Sequence, residues 1–405
     1  MRKFVVLLMC LILPFSLFAQ GAAESGSADA EGKVIIFQSK VEITEALERA
    51  AEDFTAETGI EVEIWETTGD DYRAQLSLRL AGDEVPTIFT VAAGSEAEMF
   101  APYIAPIEDS EVNQYISQSL ALMVNGKSSG VPYSVEGYGL VINKDMVSEA
   151  DLENDETFLA ALDRLASEGV NPFGLSQESY FLIGHLLNAP FAIMEDPEGF
   201  LADFEAGNVH LADQEEFQAF ALLMDKIKEV AVNPLEVNYD RECGDFATGK
   251  TAMIHQGNWC YSMFSSYDTD VDMALVGVPL LGNDRLSVSV PYYWVVNSQV
   301  SEADRQASIR FLDWLHTSQT GMDYILNEFL FVPAVSNIAT DSLDPLSADV
   351  AEAAGSGETL IWTTNLWPMN IVDTDFAPLA QEFFTTDMTG AEFVERIEDA
   401  YLARL

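Results

Sequence analysis

Glu136 sits in the stretch "GVPYSVEGYGLVINKD" (130–145), a carboxylate among aromatics and glycines beside an apolar run from Tyr138 to Ile142. An ionised Glu is rarely buried without partners. It therefore faces a structural cation, a reacting group or the hydroxyls of a ligand. Two carboxyl groups about 5–10 Å apart would hydrolyse a glycosidic bond, and with 67 Asp and Glu the composition does not exclude such a pair. Other chemistries find no pattern. The four histidines, His185, His210, His255 and His316, are scattered and lack metal-ligand spacing. There is no GxSxG elbow and no P-loop, and "GYG" at 137–139 lacks the phosphate-cradling context. Cys243 and Cys260 lie 17 positions apart. In an oxidising compartment they are disulfide candidates; otherwise they pack as small apolar thiols. Their spacing leaves both open.

The elements that must position these groups follow from the pattern. Residues 1–19 read as a cleavable signal peptide: basic Arg2 and Lys3, an apolar core from Phe4 to Leu13, and Leu17-Phe18-Ala19 before the cut. Cys10 follows Leu-Leu-Met and apolar sequence continues past it, so a lipid anchor is not expected. Residues 20–33, "QGAAESGSADAEGK", form a flexible lead-in. Strand, helix, strand, helix, strand then follow within about sixty residues, the sign of parallel strands with helical crossovers and an α/β domain. Residues 150–265 are mostly helical in pattern, at 155–167, 179–188, 214–230 and 257–267. Strand character returns at 273–280 and 292–298, and helices follow at 302–316 and 318–328. The region from 337 reads as loop, then helix over 377–403. At 405 residues and 48% apolar composition there is room for two domains with sizeable cores. Basic residues number 19, and the formal charge of −48 falls by two to −50 once Arg2 and Lys3 leave. Such a field repels nucleic acid and anionic membrane.

Four stretches carry a resemblance. "GDEVPTIFTV" closes the opening strand–helix–strand, and "GVPYSVEGYGLVINKD" follows it. "FATGKTAMIHQGNW" (246–259) and "WVVNSQVSEADRQASIRFLDWLHTSQTGMDYI" (294–325) come next, in that order. In this order they resemble the extracellular solute-binding proteins of sugar ABC transporters, the maltose-binding-like family. The resemblance implies an α/β, two-lobed periplasmic-binding-protein fold with a hinge and an interlobe ligand cleft. Residues 34–136 and 281–336 would build lobe one, and 137–280 and 337–405 lobe two, each around a mixed, mostly parallel sheet. Crossings would fall near Glu136–Tyr138, Gly277–Leu281 and Val332–Val335.

It also implies a function: a periplasmic, monomeric protein that captures a sugar or oligosaccharide and delivers it to ABC permease subunits, with no catalysis and no cofactor. A secreted glycoside hydrolase is the alternative. Sugar recognition needs flat aromatic faces for the ring's C–H surface and planar polar groups for its hydroxyls. Glu136 matches a sugar-contacting carboxylate of the family, and Trp259 its stacking Trp. Tyr292 precedes a strand whose loop faces the cleft in relatives. Of Trp362 and Trp367 in "IWTTNLWPMN", Trp367 is the one expected at the cleft. Gln38 and Ser39 end the first strand, and Gly94 and Ser95 follow the third, where parallel strands leave a crevice. "AAGSEAE" stands where the maltose-binding pattern has an acid and a base nearby, so the resemblance does not carry maltose itself.

Overall fold

The computed structural model describes residues 32–405 except 83, 84, 119, 268 and 341. The expected leader, Cys10 and most of the 20–33 stretch lie outside the described residues. The chain opens with β1 (Val34–Gln38), α1 (Thr44–Thr58), β2 (Val62–Glu66), α2 (Gly69–Leu80), β3 (Ile88–Val91) and a short α3 (Ser95–Phe100). This is the expected alternation, and β1 pairs in parallel with both β2 and β3. Every residue of β1 is buried, as a parallel strand covered on both faces requires. Helix α1 buries Ala46, Leu47, Ala50, Ala51 and Phe54 along one stripe. It stops at Gly59, whose φ of 78° suits a residue with no Cβ and whose N–H caps the Thr55 carbonyl.

A small hairpin, β4 (Met123–Val124) and β5 (Lys127–Ser128), leads to β6 (Val131–Pro132) and β7 (Glu136–Asn143). Helices α4 (Asp155–Ser167), α5 (His185–Ala192), α6 (Pro197–Glu205), α7 (Glu215–Val230) and α8 (Tyr239–Ala247) come next. Then follow β8 (Met253–Gly257), β9 (Met273–Val276), β10 (Ser287–Ser289) and β11 (Tyr293–Val296). The chain closes with α9 (Glu302–Thr317), α10 (Gln319–Asp323), α11 (Pro345–Ser356), α12 (Ala377–Thr385) and α13 (Gly390–Leu402).

Two main sheets organise these elements. The first runs β2-β1-β3-β11-β6, with β11 antiparallel to β3 and β6. The second centres on β7, which pairs antiparallel with β8, β9 and β10. The expectation of a mostly parallel sheet in each lobe therefore holds for β2-β1-β3 and fails for the second sheet. There the later strands all run back along β7, a direction that helical patterning between strands does not encode. Both sheets are covered on two faces by the alternation of strand side chains. Ile36 and Trp294 face α1 and α9, whereas Phe37, Phe89 and Tyr293 face Tyr72 and Leu76. In the second sheet Leu140 and Ile142 enter the core built by α4, α5, α7, α12 and α13, and Val141 enters that of α8 and α11.

The chain leaves the first sheet after β6, and Val135 N–H bonds to the Val332 carbonyl, so two crossing segments run side by side. Because β10 still pairs with β7, the return to the first sheet runs through Val290–Tyr292, later than the expected Gly277–Leu281. The C-terminal helix read over 377–403 is broken. Thr386 is extended, and Thr389 starts α13 with a capping box in which Thr389 and Glu392 satisfy each other's N–H groups. Helix α11 occupies part of the region read as loop, started by an Asp344 cap and Pro345. Cys243 and Cys260 are buried free thiols in one core, near enough to interact. Among the described residues no helix is long and apolar enough to cross a membrane.

Candidate functional site

Glu136 opens β7 at the crossing, 4% exposed. Its Oε1 is 2.8 Å from Lys40 Nζ and accepts from Ser134 Oγ at 3.1 Å. Lys40 lies two residues beyond β1, so the pair joins the end of the first sheet to the start of the second. Burial pulls the Lys40 pKa down, but the charges of Glu136 and Glu42 and the hydrogen bond to Glu136 outweigh it and raise it. A buried pair of this kind contributes little net stability while both charges are present, yet losing either strands the other. Gln38 is buried beneath it and fully engaged: its Oε1 accepts from Lys40 N and its Nε2 donates to Thr44 Oγ1 at 3.0 Å. Ser39 is half-buried beside them.

Lys40 Nζ also lies 5.8 Å from the ring centres of Trp259 and Phe331, within cation–π range. Trp259 follows β8 on a helical turn and is half-buried. Its ring lies near Phe181 (6.2 Å, 21° between planes) and His185 (5.4 Å). His185 stacks on Tyr138 at 4.4 Å, and Trp362 packs on Tyr138 at 4.9 Å. The result is a continuous aromatic wall on the second lobe. Burial, with His255 nearby, holds the His185 pKa well below its ordinary value, so the imidazole in this wall is neutral. Gly257 has to be glycine, because a Cβ there would come 2.3 Å from the Trp259 ring.

The first lobe answers with Arg73, Glu96 and Tyr292. Arg73 Nε is 3.7 Å from Glu96 Oε2 and has no hydrogen bond. Burial raises the Glu96 carboxyl against the pull of Arg73. Arg73 is also close enough to Tyr180 and Asp373 of the second lobe for its charge to act on both. Burial first, then Glu96 and Tyr180, pushes the Tyr292 phenol up. At the rim Gly94 adopts φ 75°, and a Cβ on it would sit 3.1 Å from the Asn365 carbonyl oxygen. The two lobes thus touch, in a closed arrangement. A surface depression of about 780 Å³ lies elsewhere, between residues 149–153, 275–286 and 349–358. It lacks the convergence of rings and paired charges that the interlobe residues show.

Of the expected site residues, Glu136, Trp259 and Tyr292 line this region, Gln38 and Ser39 underlie it, and Gly94 and exposed Ser95 form its rim. Trp367 does not reach it. It is 3% exposed in the second-lobe core, against Phe191 (5.4 Å) and Phe376 (5.7 Å). The turn Thr363–Leu366 between the two tryptophans sends them to different sides, and Trp362 is the one in the aromatic wall. Lys40, Arg73, Tyr138 and His185 were not singled out by the sequence. Lys40 carried a usable signal: a rare base, in a chain with 19, directly after the carboxyl end of the first parallel strand.

A family model described as bacterial extracellular solute-binding protein matches residues 49–356. Solved structures similar to this chain include a chitin oligosaccharide binding protein (18% identity, 92% of this chain and 98% of that one, TM-score 0.78). RafE in complex with raffinose is similar at 18% identity, covering 92% and 99%, with TM-score 0.79. A sugar transporter from Bacillus licheniformis in complex with stachyose is similar at 16% identity, covering 92% and 100%, with TM-score 0.74. At these identities the likeness is one of fold. No curated protein matches the sequence.

Proposed function

This chain belongs to the bacterial extracellular solute-binding protein family, and on that premise we propose that it captures a sugar or oligosaccharide between its lobes and delivers it to the permease of an ABC importer. The observation that carries this reading is the pairing of an aromatic wall, Trp259 with Tyr138, His185 and Trp362, with the Lys40–Glu136 charge pair facing it. Rings cover the C–H face of a pyranose, and fixed charged groups bind its hydroxyls. Structures of similar fold hold raffinose and stachyose. The lobes are taken as 34–136 with 281–336 and 137–280 with 337–405, except that residues 281–289 go with the second lobe, where β10 pairs with β7. A ligand touching both lobes stabilises the closed state by its differential affinity. The protein does no chemistry on its cargo, works as a periplasmic monomer after leader removal, and meets its permease there. Glu136 is engaged by Lys40 and Ser134 rather than by a second carboxylate, which leaves the hydrolase reading without an observation to favour it.

The test is titration of the purified protein with raffinose, stachyose, maltose and chitin oligosaccharides, with chromatography of the recovered sugar. The expected result is saturable binding of at least one sugar, recovered intact, and about 5- to 150-fold weaker binding by Trp259→Ala, from the loss of a large stacked ring. Released product, or a folded protein that binds none of the panel, overturns the reading.

A further inference from the structure

Behind Trp259 lie two buried polar side chains, Gln256 on β8 and Glu242 on α8, 0% and 2% exposed. Trp259 Nε1 donates to Gln256 Oε1 at 2.9 Å, and Gln256 Nε2 donates to Glu242 Oε2 at 2.7 Å. An indole N–H can only donate. Gln256 must therefore turn its carbonyl to Trp259 and its amide to Glu242, and Glu242 must present an acceptor oxygen. The order of donors and acceptors is thus determined from the helix to the ring. For stability alone, well-packed apolar side chains would serve this position as well or better, because buried polar groups are costly unless fully paired. Here Glu242 Oε1 makes no hydrogen bond of normal geometry, with Ser176 only near enough to act on the carboxyl's charge, a cost accepted at this position. The ring has no freedom on its inner side either, since it lies directly over Gly257.

We propose that Glu242 is a positioning residue for carbohydrate binding, which acts through Gln256 to set the angle at which Trp259 meets the sugar. The inference rests on the reading of Trp259 as a stacking ring; Glu242 itself touches no ligand. Removing the acceptor at Glu242 frees the Gln256 amide to flip, and a flipped amide presents a donor to the indole N–H. Trp259 then loses its one anchored atom and samples other ring orientations.

The test uses the full mature chain and two readouts. The first needs no ligand: the indole N–H resonance of Trp259, assigned by its absence in Trp259→Phe. Glu242→Leu and Gln256→Leu should each move it, and the double variant should move it no further than Gln256→Leu alone. Glu242→Gln, which still offers a carbonyl oxygen, should leave it near its wild-type position. The second readout is titration with raffinose and with a chitin oligosaccharide. Affinity should fall about tenfold in Glu242→Leu and return to within about twofold of wild type in Glu242→Gln. If Glu242→Leu does not fold, Glu242→Met, unbranched and without a carbonyl oxygen, carries the same comparison against Glu242→Gln. An unmoved resonance in the leucine variants, or equal losses in Glu242→Leu and Glu242→Gln, overturns the proposal. A wild-type protein that binds none of raffinose, stachyose, maltose and chitin oligosaccharides overturns the carbohydrate reading instead, while the resonance still decides the relay.

Discussion

The Glu136 carboxylate raises the Lys40 pKa against its burial, and the ion pair between them answers what a carboxylate is doing among the aromatics and glycines of residues 130–145. The two are 96 positions apart, so no periodicity or local motif could have joined them; what was legible was only that Glu136 needed a partner. The pair also yields a prediction about stability. Lys40→Met should cost about 3 kcal/mol by stranding a buried carboxylate, and Lys40→Met with Glu136→Gln should recover most of it, measured by urea denaturation. Equal losses in the single and double variants would mean that the pair is not what holds Glu136. Glu242 behaves differently. Burial, opposed by Gln256, pushes its carboxyl up to about 8. The folded protein therefore keeps a proton that the unfolded chain gives up near its ordinary pKa of 4.5. The unfolded state binds fewer protons between these values, so this group's contribution to stability is present below about pH 4.5 and is lost as pH rises through 8. The melting temperature of Glu242→Gln minus that of wild type should therefore grow from pH 5 to pH 8.5. A difference that is flat across this range would place the carboxyl of Glu242 at its ordinary pKa.

At the scale of elements, the strands and helices of the first sixty described residues were legible because their periods are strong and their stops are marked, as at Gly59. Strand direction in the second sheet was not, because β7 finds its partners more than 110 residues downstream and the intervening helices look alike for either direction. The same limit misassigned Trp367: two tryptophans five positions apart in one loop carry no periodic signal for which one turns inward. The break between α12 and α13 was visible in principle. Thr389, three residues before Glu392, is a capping-box signature that a long helical pattern had overridden. Thr389→Ala should lower stability by about 1 kcal/mol, read from the denaturation midpoint, and leave sugar affinity unchanged, since α13 packs in the second-lobe core away from the aromatic wall. No loss of stability would mean that α13 is held by its packing alone.

For the whole molecule, the two sheets, their separate cores and the crossing segments supply two bodies and a joint, and the contacts between the bodies define the closed state. Gly94 against the Asn365 carbonyl, Arg73 against Tyr180 and Asp373, and Lys40 against Trp259 all span the lobes. The family resemblance made the two-lobed plan legible in the sequence, but these cross-lobe contacts belong to the closed geometry and have no local signature. The strong net negative charge, −48 over the full chain, opposes compaction by self-repulsion. The account's central claim is that a sugar bound between the lobes draws them together. Small-angle X-ray scattering of the protein alone and at saturation with the sugar that titration identifies tests it most directly. The account predicts a smaller radius of gyration in the bound state and a bound-state curve that matches the closed coordinates; an unchanged radius with the protein fully occupied would contradict it.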